Sequence, residues 1–267
     1  MSRKPRLAVI QFPGSNCEYE TQFVARHFGF DAHLVRWNAP LVGLSDFEAF
    51  IVPGGFSFQD RVRAGAIAAK LPIMEAILDA DRAGKPILGI CNGCQILAEA
   101  GLFPNLSGDH RIEVALAPNL NQNQRIGHMC DWVSVKLRYP GFSLFTRNYS
   151  EDEVLPIPIS HGEGRFVWPE ALQADIQKLA AFTYVSESPN GSTDHVAGLC
   201  NPAGNVLGLM PHPERAVFLK QLPMTLAGDW SARKHSTEYG IYDLGPWGRL
   251  FESMYQAVCE RIGYATV

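Results

Sequence analysis

At 267 residues, 46% hydrophobic and 19% charged, the chain carries enough apolar material for one large core, which excludes a disordered or fibrous protein. Its formal charge of -4 offers no basic excess to neutralise phosphates, so neither nucleic acid nor an anionic membrane is indicated, and no apolar run approaches a membrane span. Six scattered cysteines and a basic Ser2–Arg6 leader without the apolar core of a signal peptide point to reduced thiols and a cytoplasmic address.

Arg6 to Phe12 is a short apolar run that predicts a buried strand, broken by Pro13-Gly14-Ser15-Asn16. Glu18 to Phe28 places Tyr19, Phe23, Val24, His27 and Phe28 at helical spacing, and Gly29 closes that helix. Asp31–Val35 and Ala49–Pro53 read as the next strands, with Ile73 to Ala83 a helix ending at Gly84. Pro86 to Ile90 is apolar and uncharged, as a strand covered on both faces should be, and Gln95 to Glu99 takes up helix formers. A helix or long crossover between successive strands predicts parallel pairing.

Beyond Gly101 the pattern changes. Arg111–Leu116 and Met129–Leu137 alternate as half-exposed strands do, around a polar loop from Asn119 to Arg125, and predict a short antiparallel segment added to the main sheet. Tyr139 to Val154 reads as loop. Leu155–Ser160 runs extended, its prolines confining it to an edge or a strand end. Ala181–Val185 and His195–Cys200 are further strands, and the turn cluster from Asn201 to Asn205 returns Val206–Met210 as a hairpin partner. Phe218 to Tyr242 has little periodicity and reads as an insertion; Gly248 to Ile262 is an amphipathic helix. These elements predict a single α/β domain over residues 1–267, interrupted by the insertion at 218–242.

Three stretches carry chemistry. In Gly89-Ile90-Cys91-Asn92-Gly93 a cysteine stands between a strand and a helix, with small residues two before and two after it. That spacing lets the chain turn sharply and holds the middle side chain on a strained corner, where the helix N-terminus favours thiolate and offers N–H groups to an oxyanion. A buried structural cysteine is the plain alternative, and Cys91-x-x-Cys94 also has the form of a redox pair; no second such pair stands at zinc spacing, so no metal site is expected. Pro53-Gly54-Gly55-Phe56 follows its strand at the carboxyl end, where open α/β sheets place ligands. His212 and Glu214 flank Pro213 in what reads as an extended segment, which points both side chains to one face and lets the carboxylate hold the imidazole in one tautomer. Together Cys91, His212 and Glu214 spell acyl transfer, with N–H groups of Gly55 and Asn92 for the oxyanion. Ser160-His161-Gly162-Glu163 is a second possible source of the base.

These three stretches, in this chain order, resemble the signatures of the class I glutamine amidotransferases. Phe12–Cys17, Gly54–Ser57, Arg63–Ile67, Gly89–Gln95, Ile159–Arg165 and Gly208–Arg215 are similar to one branch of that family, the glutaminase subunits of phosphoribosylformylglycinamidine synthase in purine biosynthesis. The resemblance covers most of the chain. It implies a flavodoxin-like glutaminase fold, a mostly parallel central sheet with helices on both faces plus a small antiparallel segment. It implies hydrolysis of glutamine through a Cys91 thioester, with substrate contacts from Gly54, Phe56, Gln95 and His161. The ammonia would pass to a separate synthase subunit, with a small accessory subunit in many systems. ATP and Mg are expected at that synthase, and no cofactor is expected in this chain. The chain starts close to its first signature and so resembles a free-standing subunit. Phe58-Gln59-Asp60 departs from the tyrosine-glycine-aspartate run of the branch. The same residues would also suit an amidotransferase serving another synthase, or a silent regulatory subunit of the same fold.

Overall fold

The computed structural model describes residues 3–121, 124–139, 141–151, 153–185, 187–226 and 228–265. Its elements in order are β1 (Arg6–Gln11), α1 (Glu18–His27), β2 (Asp31–Arg36), β3 (Ala49–Val52), α2 (Ile73–Arg82), β4 (Ile87–Ile90) and α3 (Asn92–Glu99). Then come β5 (Ala115–Ala117), β6 (Leu120–Asn121), β7 (Gln124–Arg125), β8 (Met129–Leu137), β9 (Val154–His161), β10 (Arg165–Val167) and α4 (Gln173–Ile176). The chain ends with β11 (Ala180–Tyr184), β12 (Val196–Cys200), β13 (Val206–Leu209), α5 (Asp229–His235) and α6 (Gly248–Ile262).

A nine-stranded sheet in the order β2-β1-β3-β4-β13-β12-β11-β8-β9 organises the molecule. β2, β1, β3, β4 and β13 run parallel to one another, β12 and β8 run against them, and β11 and β9 again run with them. The parallel strands are short and apolar because both faces are covered: every residue of β3, β4 and β13 is buried. One consequence fixes the site. β1, β3, β4 and β13 are neighbours pointing the same way, so the segments leaving their carboxyl ends, 12–17, 53–56, 91–93 and 210–215, emerge side by side. Sequence-distant motifs therefore converge at one edge of the sheet.

α6 closes the molecule. Phe251 stacks on Phe28 with ring centroids 6.0 Å apart, Tyr255 meets Phe30 edge-on at 5.1 Å, and the buried Trp247 donates its indole N–H to the Pro156 carbonyl at 3.0 Å. This last bond ties the amino end of α6 to β9, the sheet edge, where Pro156 and Pro158 remove donors without a ladder bond being lost on the open side.

The structure corrects three local expectations. Residues 111–114 form no strand, and 115–117 pair with β10 in a separate two-stranded sheet rather than with the main one. Ile112 is left 47% exposed, while Glu113 turns back to accept the N–H groups of Leu106 and Ser107 at 2.7 and 3.0 Å; local turn bonds outcompete the alternating pattern. β8 instead joins the main sheet between β11 and β9, and the polar loop holds the small β6–β7 hairpin, with Gln122 and Asn123 outside the described residues. The insertion contains α5 and is pinned by a bridge between Phe218 and Leu244; Ala227 within it lies outside the described residues. No helix among the described residues is long and apolar enough to cross a membrane.

Candidate active site

Cys91 sits where β4 becomes α3, with φ 52° and ψ -107°, a backbone conformation that L-residues adopt only when the surroundings impose it. The imposition is steric. A side-chain carbon at Gly93 would lie 1.8 Å from the Val52 carbonyl oxygen, and one at Gly89 would lie 2.7 Å from the Gly93 carbonyl oxygen, so strand and helix meet in backbone contact. α3 begins at Asn92, three residues earlier than its apolar pattern suggests, which puts Cys91 at the helix entry and leaves the first-turn N–H groups without helical acceptors. The Cys91 thiol faces the Ser160 carbonyl at 3.4 Å, and its own N–H is anchored on Leu209 at 2.8 Å.

His212 and Glu214 arrive from the end of β13. The expected extended segment is instead a tight 3-10 turn over Pro213–Arg215, which nevertheless brings Glu214 Oε1 to 2.6 Å from His212 Nδ1. Proline at the first turn position fits because its fixed φ suits that turn and its missing N–H is not needed there. Both residues are buried. Burial by itself would lower the imidazole pKa; the Glu214 charge, helped by the Cys91 and Cys17 thiols, overrides it and holds His212 well above the ordinary histidine value. With Nδ1 on the carboxylate, Nε2 has no hydrogen-bond partner of its own and is left for the Cys91 side. Gly54 makes this meeting possible: a side-chain carbon there would lie 2.8 Å from His212 Cε1, 3.1 Å from Cys17 Sγ and 3.5 Å from Cys91 Cβ.

Cys17 is not marked as chemical by its sequence, although it closes the Pro-Gly-Ser-Asn break at the carboxyl end of β1, the same place in its strand as the other motifs. Its sulfur lies 4.0 Å from His212 Nδ1 and accepts from Arg215 at 3.2 Å. Burial, the first cause, pushes its thiol up to about 11. Cys17, His212 and Glu214 have ligand atoms within 4.8 Å of one another. A protonated thiol and a guanidinium beside it oppose a bound cation there.

A cavity of about 220 Å³ opens onto Cys91. Of the expected residues, Gly55, Phe56, Gln95 and His161 line it, whereas Gly54 sits behind, against His212 and Cys17. Phe56 is 47% exposed, its ring tilted against His128. The Gln95 amide is spent within the protein, donating to the Glu163 carbonyl at 2.7 Å and accepting from the Asn92 amide at 2.9 Å. Asn92 in turn accepts the Ser57 N–H at 3.0 Å, which fixes the turn after Gly55 against the helix entry. His161 does not pair with a carboxylate: Nδ1 faces Asn119 Oδ1 at 3.2 Å, and burial pulls its pKa down to about 3, which disfavours it as the base. Cys94 is wholly buried on α3, and burial first and then the neighbouring Cys91 push its thiol far up, which disfavours a thiolate there.

Residues 4–258 match the model of the CobB/CobQ-like glutamine amidotransferase domain. The chain is 42% identical to the phosphoribosylformylglycinamidine synthase subunit PurQ of Methanothrix thermoacetophila, over 96% of this chain and 99% of that protein. It is 41% identical to the subunit of the same name from Aquifex aeolicus, over 79% of this chain and 91% of that protein. Among solved structures it resembles a chain of PurLQS from Thermotoga maritima, with a TM-score of 0.75 and 33% identity, covering 96% of this chain and all of that one. A GMP synthase component from Thermoplasma acidophilum, at 14% identity and a TM-score of 0.56 over 98% of each chain, shares the fold.

Proposed function

Because the chain belongs to the CobB/CobQ-like glutamine amidotransferase family, we propose that Cys91, His212 and Glu214 cleave the carboxamide of glutamine. The protein is the glutaminase subunit of phosphoribosylformylglycinamidine synthase, in purine biosynthesis. The observation that carries the chemistry is the convergence of the strained Cys91 corner with a buried His212 whose Nδ1 is fixed by Glu214 at 2.6 Å.

The Cys91 sulfur gives its proton to His212 Nε2 and attacks the carboxamide carbon, whose oxygen moves toward the N–H groups of Gly55 and Asn92. His212 returns the proton to the departing nitrogen, so ammonia leaves and a thioester forms. Water, deprotonated by the same imidazole, then releases glutamate and restores the thiol. Glu214 stabilises the imidazolium that forms at each step. Each oxyanion donor is worth about 10²- to 10³-fold in rate. The ammonia passes to a synthase subunit, with ATP and Mg at that partner and a small accessory subunit in the assembly, in the cytoplasm. Support for an assembly comes from the resemblance to a chain of PurLQS.

The test is Cys91→Ala in the assembly with the synthase. Glutamine-dependent synthesis is expected to vanish while ammonia-dependent synthesis stays at the wild-type rate; loss of both would contradict the division of labour.

A further inference from the structure

We propose that Arg215 is a positioning residue for the reaction: anchored on Glu20 of α1, it steadies the Glu214 carboxylate and the Cys17 sulfur behind His212, so that the imidazole keeps a single setting toward Cys91. The inference rests on the glutaminase reading and adds a group that lines no part of the Cys91 cavity and acts through Glu214. Arg215 is the last residue of the 3-10 turn that carries Glu214. Its Nε donates to Glu20 Oε1 at 2.9 Å and lies 3.9 Å from Glu214 Oε1, while a terminal nitrogen donates to Cys17 Sγ at 3.2 Å.

Two problems behind His212 call for such a group. The first is charge. Glu214 is wholly buried, and its Oε2 has no hydrogen-bond partner. A buried carboxylate is costly unless a countercharge stands beside it. Whenever His212 is neutral, as it is before it takes the thiol proton, that countercharge has to come from elsewhere; among the described residues Arg215 is the one arginine or lysine within 4.0 Å of Glu214. Burial alone would lower the Arg215 pKa, but Cys17, Glu20 and Glu214 more than offset it and hold it above the ordinary arginine value, so the guanidinium stays charged.

The second is competition for Nδ1. Glu214 Oε1 approaches that nitrogen to 2.6 Å and Cys17 Sγ to 4.0 Å. The Cys17 thiol donates to Asn16 Oδ1 at 3.0 Å and its sulfur accepts from Arg215, so donor and acceptor are both engaged and the carboxylate keeps the ring nitrogen. Arg215 is itself fixed at both ends: its main-chain N–H donates to the His212 carbonyl at 3.3 Å, and Glu20 holds its head. Gln221 secures the same turn by donating to the Glu214 carbonyl at 2.9 Å. A guanidinium suits the place because its rigid fork meets a carboxylate and a sulfur at once.

The experiment is a double-mutant cycle on glutamine hydrolysis by the assembly with its synthase subunit: wild type, Arg215→Met, Glu214→Gln and the two together. Arg215→Met is expected to lower kcat by about 10- to 100-fold with KM within about threefold, because the loss falls on the aim of the imidazole and not on substrate binding. In the Glu214→Gln background the same change is expected to cost less than about threefold, since the group through which Arg215 acts has lost its charge. Glu20→Gln, at a half-buried position on α1, should lower kcat in the same sense by a smaller factor, and it takes the place of Arg215→Met in the cycle if that variant does not fold. Losses that multiply in the double variant, or that fall on KM, would overturn the assignment and leave Arg215 as a strut between α1 and the turn. A wild type inert toward glutamine would instead sink the glutaminase reading itself, and this proposal with it.

Discussion

Replacing Gly93 by alanine attacks the closest backbone contact at the site. The added methyl would lie 1.8 Å from the Val52 carbonyl oxygen and 2.6 Å from its carbon, where real side-chain carbons keep at least 3.0 Å. Both sides are backbone, one the second residue of α3 and the other the last of β3 in the middle of the sheet, so no flexible side chain can yield. To regain contact distance α3 and β3 must part by about 1 Å, an overpacking that costs roughly 1–3 kcal/mol. The movement would fall on the corner that aims Cys91, and misplacement of a reacting group by about 1 Å is worth roughly 10²-fold in rate. Urea unfolding should therefore show a lower midpoint at unchanged slope, and glutamine hydrolysis should fall about 100-fold. Gly43→Ala is the control: its φ is +87° with nothing within 4 Å of an added carbon, so it carries a left-handed penalty of about 1–2 kcal/mol without touching the site. A Gly93→Ala protein with wild-type midpoint and rate would refute the claim that backbone contact sets the corner.

Three other outcomes follow from how the side chains are buried and paired. Glu214→Gln removes the charge that raises His212, and glutamine hydrolysis should drop by about 10²- to 10⁴-fold. A raised folded pKa contributes stability that is complete below the unfolded histidine value of about 6.5 and is lost as pH rises through the folded value. Wild-type stability measured by urea titration should therefore decline above about pH 6.5 through this group, and the variant should lose that component of the slope; an unchanged profile would discount the pair. Brief alkylation at neutral pH, read by mass spectrometry, should mark exposed Cys130 and cavity-lining Cys91 and spare Cys17 and Cys200, whose thiols burial pushes up to about 11 and about 12. Modification of Cys17 as fast as Cys91 would show that the region behind His212 is open.

Much of the fold is legible because each buried strand is a short uncharged run and each helix ends at a glycine or a break. β3, β4, β13 and α6 fall within a residue or so of their sequence pattern. The failures share a cause. Arg111 to Leu116 alternates like a strand, yet Glu113 is drawn into the preceding turn, and alternation alone cannot tell a ladder partner from a side chain bonded to its own loop. The segment after Met210 holds two prolines and reads as extended, but Pro213 opens a 3-10 turn. Cys17 is legible only as part of a run of residues, since nothing local marks a cysteine that lies 4.0 Å from an imidazole 195 positions away.

Residue type and spacing by themselves determined which residues the proposed chemistry uses: a cysteine between small residues at a strand-to-helix corner, and a histidine two positions from a glutamate, are local arrangements set by bonds within a few residues. Which histidine suits the role proposed for it beside the thiol, His212 or His161, is distinguished only by the assembled sheet. Parallel neighbours β1, β3, β4 and β13 release their following segments at a common edge, and burial there disfavours the charged form of both imidazoles, an effect that the Glu214 charge overrides at His212 alone. The ring with a buried carboxylate keeps its affinity for a proton, and the ring without one loses it, because low-dielectric surroundings punish an unpaired charge and reward a paired one.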